Sequence, residues 1–182
     1  MGLRNRTHLQ YGQCFFVTTT CYLWQRLLAA DTAKQIVADS LNFLTGKYKT
    51  HLLAYVIMPN HLHLVLFFPE TNRLSDFMRD LKKYTSVKLR QHLEETFGVP
   101  FLEKLRFESR QQKFKVWMDR FDDLAITKAD TLRTKIDYIH NNPLQAHWQL
   151  VQFPGDYLYS SASFYEDGVI GPVVVTNYGD VW

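Results

Sequence analysis

Two short patterns hold side chains able to do chemistry together. The first is His61-Leu62-His63, set in the apolar run HLHLVLFF. Strand side chains alternate between faces, so both imidazoles leave by one face while Leu62, Leu64, Leu66 and Phe68 leave by the other. Positions i and i+2 lie about 6.5–7 Å apart on a strand, and two imidazoles reaching inward can share one cation at about 2 Å each. The second pattern is Tyr138-Ile-His-Asn-Asn142-Pro143. Its i, i+4 spacing puts Tyr138 and Asn142 on one helix face, with Cβ atoms about 5–6 Å apart. Two neutral imidazoles and an amide oxygen form an uncharged three-ligand set that leaves positions for water and phosphate oxygens. A tyrosine one turn away is then the nucleophile. The chemistry that unites the two patterns is metal-assisted attack on a phosphodiester. Each pattern also has a plainer description: histidines partly solvated on a sheet face, a tyrosine at a core edge, and an asparagine capping a helix before proline.

These side chains need elements to position them. Residues 13–20, QCFFVTTT, are aromatic and β-branched and predict a first strand. A helix is expected from Asp31, its cap, to about Leu44, stopped by Gly46. LLAYVIM is an apolar run closed by Pro59-Asn60, and HLHLVLFF follows at once as its antiparallel partner. Apolar residues at helical spacing predict a long helix over about Leu74 to Glu95, broken at Gly98-Val-Pro100. The alternating KFKVWM at 113–118 reads as a fourth strand. A last core helix runs from about Lys128 to the Asn142-Pro143 stop. This order predicts an α+β, ferredoxin-like split βαβ fold: a four-stranded antiparallel sheet, two helices on one face, the other face open for a ligand. Residues 1–165 are expected to form one domain and 166–182 a C-terminal tail that docks on it or helps an assembly.

The chain has 182 residues, 46% of them hydrophobic and 21% charged, which is globular composition and excludes a disordered chain. Its most apolar stretch, Leu62–Phe68, is far shorter than the roughly 20 residues of a membrane-spanning helix. The start MGLRNRTHLQYGQ lacks the apolar centre of a signal peptide. Cys14 and Cys21 have no zinc-site spacing and are expected to be reduced thiols of a cytoplasmic, nucleoid-associated protein. A net charge of +3 suits a polyanion partner without proving one.

The combination Tyr55-Val-Ile-Met-Pro-Asn-His-Leu-His63, Trp117 with Arg120-Phe121, Asp137-Tyr-Ile-His-Asn-Asn-Pro143 and Tyr157-x-Tyr-Ser-Ser161 resembles the REP-associated tyrosine transposases. These are a branch of the single-tyrosine HUH transposases, and the similarity spans about residues 10–165. The resemblance implies a nuclease that nicks and rejoins single-stranded DNA beside hairpins through a 5′-phosphotyrosine. It implies His61 and His63 as the HUH pair on a central strand, Tyr138 as nucleophile and Asn142 as third metal ligand. Imidazoles alone suit zinc, manganese or iron; the resemblance implies Mg2+ or Mn2+. Mobile insertion-sequence relatives carry Tyr-x-x-x-Gln, so Asn142 favours the REP-associated branch. Related nucleases are often dimers whereas the REP-associated branch includes the monomer as an alternative, so the resemblance leaves both a homodimer and a monomer open.

Candidate DNA contacts fall in two groups. Between Glu103 and Arg120, six basic residues (Lys104, Arg106, Arg110, Lys113, Lys115, Arg120) outnumber three acidic ones, with Phe107, Phe114 and Trp117 interleaved. Cations with aromatic platforms are what single-strand binding uses, although Lys113 and Lys115 also fit a solvated strand and Trp117 a core position. Arg79, Lys82, Lys83 and Arg90 recur on part of one face of the long helix, which a solvated face explains more simply than DNA binding does. Two rival functions share the fold: a module that binds single strands without cutting, and a hydrolase in which water attacks.

Overall fold

The computed structural model describes residues 13–106 and 114–181. Its strands are β1 (Gln13–Thr20), β2 (His51–Ile57), β3 (His61–Phe68) and β4 (Asp122–Ile126); its helices are α1 (Asp31–Tyr48), α2 (Leu74–Phe97), α3 (Val99–Leu102), α4 (Ala129–His140), α5 (Ala162–Asp167) and α6 (Tyr178–Val181). The sheet order is β2-β3-β1-β4, with every pair antiparallel. That is the expected split βαβ arrangement, with the His-x-His segment on a central strand.

The alternation in β3 sorts the two faces. Leu62, Leu64, Leu66 and Phe68 are buried toward the α1/α2 layer, where the Phe68 and Phe77 rings meet at 6.4 Å. His61 and His63 occupy the opposite face, where Thr20 and Thr18 of β1 are their cross-strand partners. This second face is not open as expected. Helix α4 packs against β2, β3 and β4, and Val65 and Phe67 are buried beneath that layer. The stripe Leu132, Ile136 and Ile139 drives the packing, because an amphipathic helix must bury its apolar side.

Several boundaries differ from the sequence reading. Asp31 does not cap α1 with its side chain; Ala30 holds the cap position, and the Asp31 carboxylate pairs with Lys34 at 2.8 Å. Gly46 does not end the helix. The helix continues because Tyr48 anchors it, donating to Asp80 Oδ2 at 2.6 Å and packing on Phe77. Lys49, at φ 47°, then supplies the left-handed turn. The fourth strand is not 113–118 but β4. Residues 116–118 make only bridging contacts: Tyr22 N–H donates to Val116 O at 2.7 Å and Met118 N–H to Thr20 O at 2.9 Å. β4 is an edge strand, exposed at all but Ile126, so its sequence DDLAI shows no apolar alternation to read.

Trp117 belongs to the core. It is 3% exposed, and its Nε1–H donates to Thr85 Oγ1 on α2 at 2.9 Å. Trp117→Ala is expected to cost about 3–5 kcal/mol, read as a lowered urea midpoint at unchanged m-value. The C-terminal segment runs along the outer side of β2: Thr176 N–H donates to Leu52 O, and Asn42 Nδ2–H donates to Pro172 O. Among the described residues, no helix is long and apolar enough to cross a membrane.

Candidate active site

The two histidines sit edge to face with ring centroids 4.7 Å apart, both buried. Burial favours the neutral ring, pushing His61 down to about 4 and His63 down to about 3. Each ring is oriented through Nδ1. Asn60 donates through Nδ2 to the Trp24 carbonyl at 3.2 Å, which turns its Oδ1 toward His61 Nδ1 at 2.7 Å. His61 therefore carries its proton on Nδ1 and presents the Nε2 lone pair to the site. His63 Nδ1 meets Thr18 Oγ1 at 2.8 Å, and its Nε2 has no hydrogen-bond partner among the described residues. Such outer bonds fix tautomer and direction in histidine ligands.

Asn142 lies just past α4, at the head of a single 3₁₀ turn, and is 1% exposed. Its side chain does not cap the helix; Oδ1 stands 3.2 Å from His61 Nε2. Two lone-pair atoms facing each other at that distance are what a cation placed between them would bridge. A half-turn of the carboxamide would convert the pairing into a hydrogen bond. The donor set thus fits a divalent cation: two neutral imidazole nitrogens and one amide oxygen. Among the described residues, no third His, Cys, Asp or Glu joins the pair.

Tyr138 stands one turn before Asn142. Its ring meets His63 edge-on at 5.1 Å and Phe16 at 6.0 Å, and it remains 42% exposed. Its helix is held from behind by His140, whose Nε2 is 2.9 Å from Ser161 Oγ. That hydroxyl also accepts from Tyr55 N–H on β2 at 3.0 Å. His140, one residue of the Tyr138–Pro143 motif, thus serves as an anchor for the helix. Lys135 reaches over the Phe16 and Tyr138 rings at 4.6 and 5.7 Å. Trp148 lies 6.0 Å from His61 and carries the Arg26 guanidinium over its face at 5.4 Å. Sequence reasoning missed Phe16, Asn60, Thr18, Lys135, Arg26 and Trp148 as site residues. Only Lys135 left a signal, since i−3 from Tyr138 is the same helix face.

The predicted DNA contacts divide. Arg79 pairs with Asp76 at 2.7 Å and Asp80 at 3.2 Å, in the helix layer behind the sheet and away from the histidines. Lys82 is turned inward: Nζ donates to the carbonyls of Met118, Asp119 and Arg120, and burial pushes it down to about 8. Lys115 is buried and paired with Asp119 at 2.7 Å. Neither lysine is a free surface cation. Lys83 lines the groove beside Lys82, and Arg120 lines a cavity that Thr18, the partner of His63, also lines. Arg110 and Lys113 fall outside the described residues.

The buried neutral histidines make stability depend on pH. His61, His63 and His140, the last also pushed down to about 4 by burial, titrate lower in the folded chain than the ordinary 6.5. Between those values the unfolded chain binds more protons, so stability rises with pH. It is complete above about 6.5 and falls steadily toward pH 4. Urea midpoints at pH 7.5, 6 and 5 are expected to drop in that order, and His140→Gln to flatten the slope.

A family model described as IS200-like transposase matches residues 13–142, from β1 to Asn142. A Haemophilus influenzae protein named for the REP-associated tyrosine transposases is 25% identical over 145 residues, covering 74% of this chain and 76% of its own. Among solved structures, a REP-associated tyrosine transposase bound to a REP hairpin superposes with a TM-score of 0.65 at 21% identity. That match covers 97% of this chain and 93% of the other, and it bears on the fold.

Proposed function

The chain belongs to the IS200-like transposase family, and on that premise we propose that it cleaves and rejoins single-stranded DNA beside a hairpin through a covalent 5′-phosphotyrosine on Tyr138. The observation that carries the reading is the meeting of four groups from β3 and from the end of α4: Tyr138 against His63, and Asn142 Oδ1 facing His61 Nε2 at 3.2 Å. His61, His63 and Asn142 would hold Mg2+ or Mn2+. A divalent ion bound there would offset the negative charge that gathers on the scissile phosphate, worth several kcal/mol in the transition state.

The protein's own groups do the rest. Tyr138 Oη forms a bond to phosphorus as the bond to the 3′ oxygen breaks. The phenol gives up its proton, and the departing 3′ oxygen ends with one. The product is a 5′-phosphotyrosine and a free 3′-hydroxyl. One phosphodiester replaces another, so a second 3′-hydroxyl can reverse the step and join new ends without ATP. His63 and Phe16 restrict the phenol ring by edge contacts. α4, fastened by His140 and Ser161, fixes its distance from the histidines. The burial that keeps both imidazoles neutral keeps them able to ligate well below the pH of about 6 expected for ordinary histidines.

The test uses single strands carrying a hairpin and labelled at the 3′ end, incubated with Mn2+ or Mg2+ and run on a denaturing gel. A protein-linked band is expected, absent with EDTA. Binding that ignores EDTA, with no covalent band, would instead describe a binding module. Free 5′-phosphate ends would describe hydrolysis by water.

A further inference from the structure

The turn after β1 carries a feature that the cleavage step does not use. Leu23 and Trp24 both lie at positive φ, 52° and 58°, a left-handed region that residues with a Cβ enter at a cost. Their side chains are 59% and 64% exposed, so burial does not offset that cost. The conformation displays an indole at the mouth of a cavity of about 490 Å³, lined also by Thr18, Thr20, Tyr22, Arg120 and Asp122. The volume is within the range of small-molecule sites.

This cavity is tied to both histidines. Thr18, in its wall, bonds His63 Nδ1 at 2.8 Å. The Trp24 carbonyl holds Asn60 at 3.2 Å, and Asn60 holds His61 Nδ1 at 2.7 Å. Its floor is stiff, because Lys82 Nζ binds the successive carbonyls of Met118, Asp119 and Arg120. The Arg120 guanidinium that this loop presents has no ion pair among the described residues.

The chemistry matches one ligand class. An exposed indole offers a stacking face, threonine hydroxyls and a carboxylate offer donors and acceptors, and a guanidinium offers a phosphate clamp. A flat heterocycle with an attached phosphate uses all of them. A base offers its face to an exposed indole only when it is unpaired.

We infer that this cavity is a nucleotide subsite, in which one unpaired base of the substrate strand stacks on Trp24 with its phosphate on Arg120. The inference rests on the single-strand nuclease reading and names where that strand is gripped. Occupancy fixes the Trp24 turn, and through Asn60 and Thr18 it steadies the two imidazoles.

The experiment places 2-aminopurine at each unpaired position flanking the hairpin in turn, with the full chain and EDTA present so that binding is read without cleavage. One position is expected to lose fluorescence on binding. The loss should persist in Trp24→Phe and disappear in Trp24→Ala, with affinity about ten-fold weaker. Arg120→Gln should weaken binding and reduce the salt slope by about one. Quenching and affinity unchanged in Trp24→Ala would overturn the subsite, even if the covalent adduct still forms and the nuclease reading stands. Trp24-dependent quenching in a chain that never forms an adduct would keep the subsite and sink the nuclease. Trp24→Ala should leave the urea midpoint unchanged, since the side chain is exposed, so lost affinity cannot be assigned to unfolding.

Discussion

Tyr138→Phe is expected to remove the covalent DNA adduct entirely while leaving the protein folded and able to bind the hairpin strand. The substitution deletes one oxygen. The ring that contacts Phe16 and His63 remains, and at 42% exposure the lost hydroxyl leaves no buried cavity. Without Oη there is no atom to form the phosphorus bond. The expected fall in cleavage is on the order of 10⁴-fold or more, typical of removing a nucleophile from a preorganised site. A gel-shift titration run beside the denaturing gel separates the two properties: the dissociation constant should stay within about three-fold of the parent, a change under 1 kcal/mol. Loss of binding together with cleavage would mean that the phenol holds DNA rather than attacks it.

His61→Ala and His63→Ala are expected to have the next largest effect, and of a different kind. Each removes one nitrogen from a three-donor set, so metal affinity should fall together with cleavage. If the ion contributes several kcal/mol of charge stabilisation, cleavage falls on the order of 10³-fold at a fixed Mn2+ concentration. The two variants should also differ in structure. His63→Ala leaves Thr18 Oγ1 without its 2.8 Å partner, while His61→Ala frees Asn60 and with it the Trp24 turn. Both should be less sensitive to acid than the parent, because a buried group that resists protonation is gone. Calorimetric titration with Mn2+ reads the affinity directly. Unchanged affinity in both variants would place the ion elsewhere.

Much of this was legible from residue order. Strand alternation was enough to put His61 and His63 on one face, and i, i+4 spacing was enough to put Tyr138 beside Asn142, because both rest on backbone periodicity alone. Apolar runs located β1, β2, β3 and the long helices for the same reason. What periodicity could not show was what faces what. Lys82 and Arg79 look like surface cations in a helical repeat, yet one holds three backbone carbonyls and the other a pair of carboxylates. β4 escaped because an exposed edge strand carries no apolar alternation, while KFKVWM alternated convincingly around a buried Trp117. The outer bond of Asn60 depends on the Trp24 turn and that of Thr18 on the register of β1 against β3, and no local pattern encodes either.

Attack by Tyr138 is tested most directly by trapping the adduct, digesting it with protease and locating the nucleotide by mass spectrometry. The chain holds ten tyrosines, so the assignment is informative. The 5′-phosphate is expected on the peptide containing Tyr138, and on no other. A nucleotide carried by a different tyrosine would contradict it.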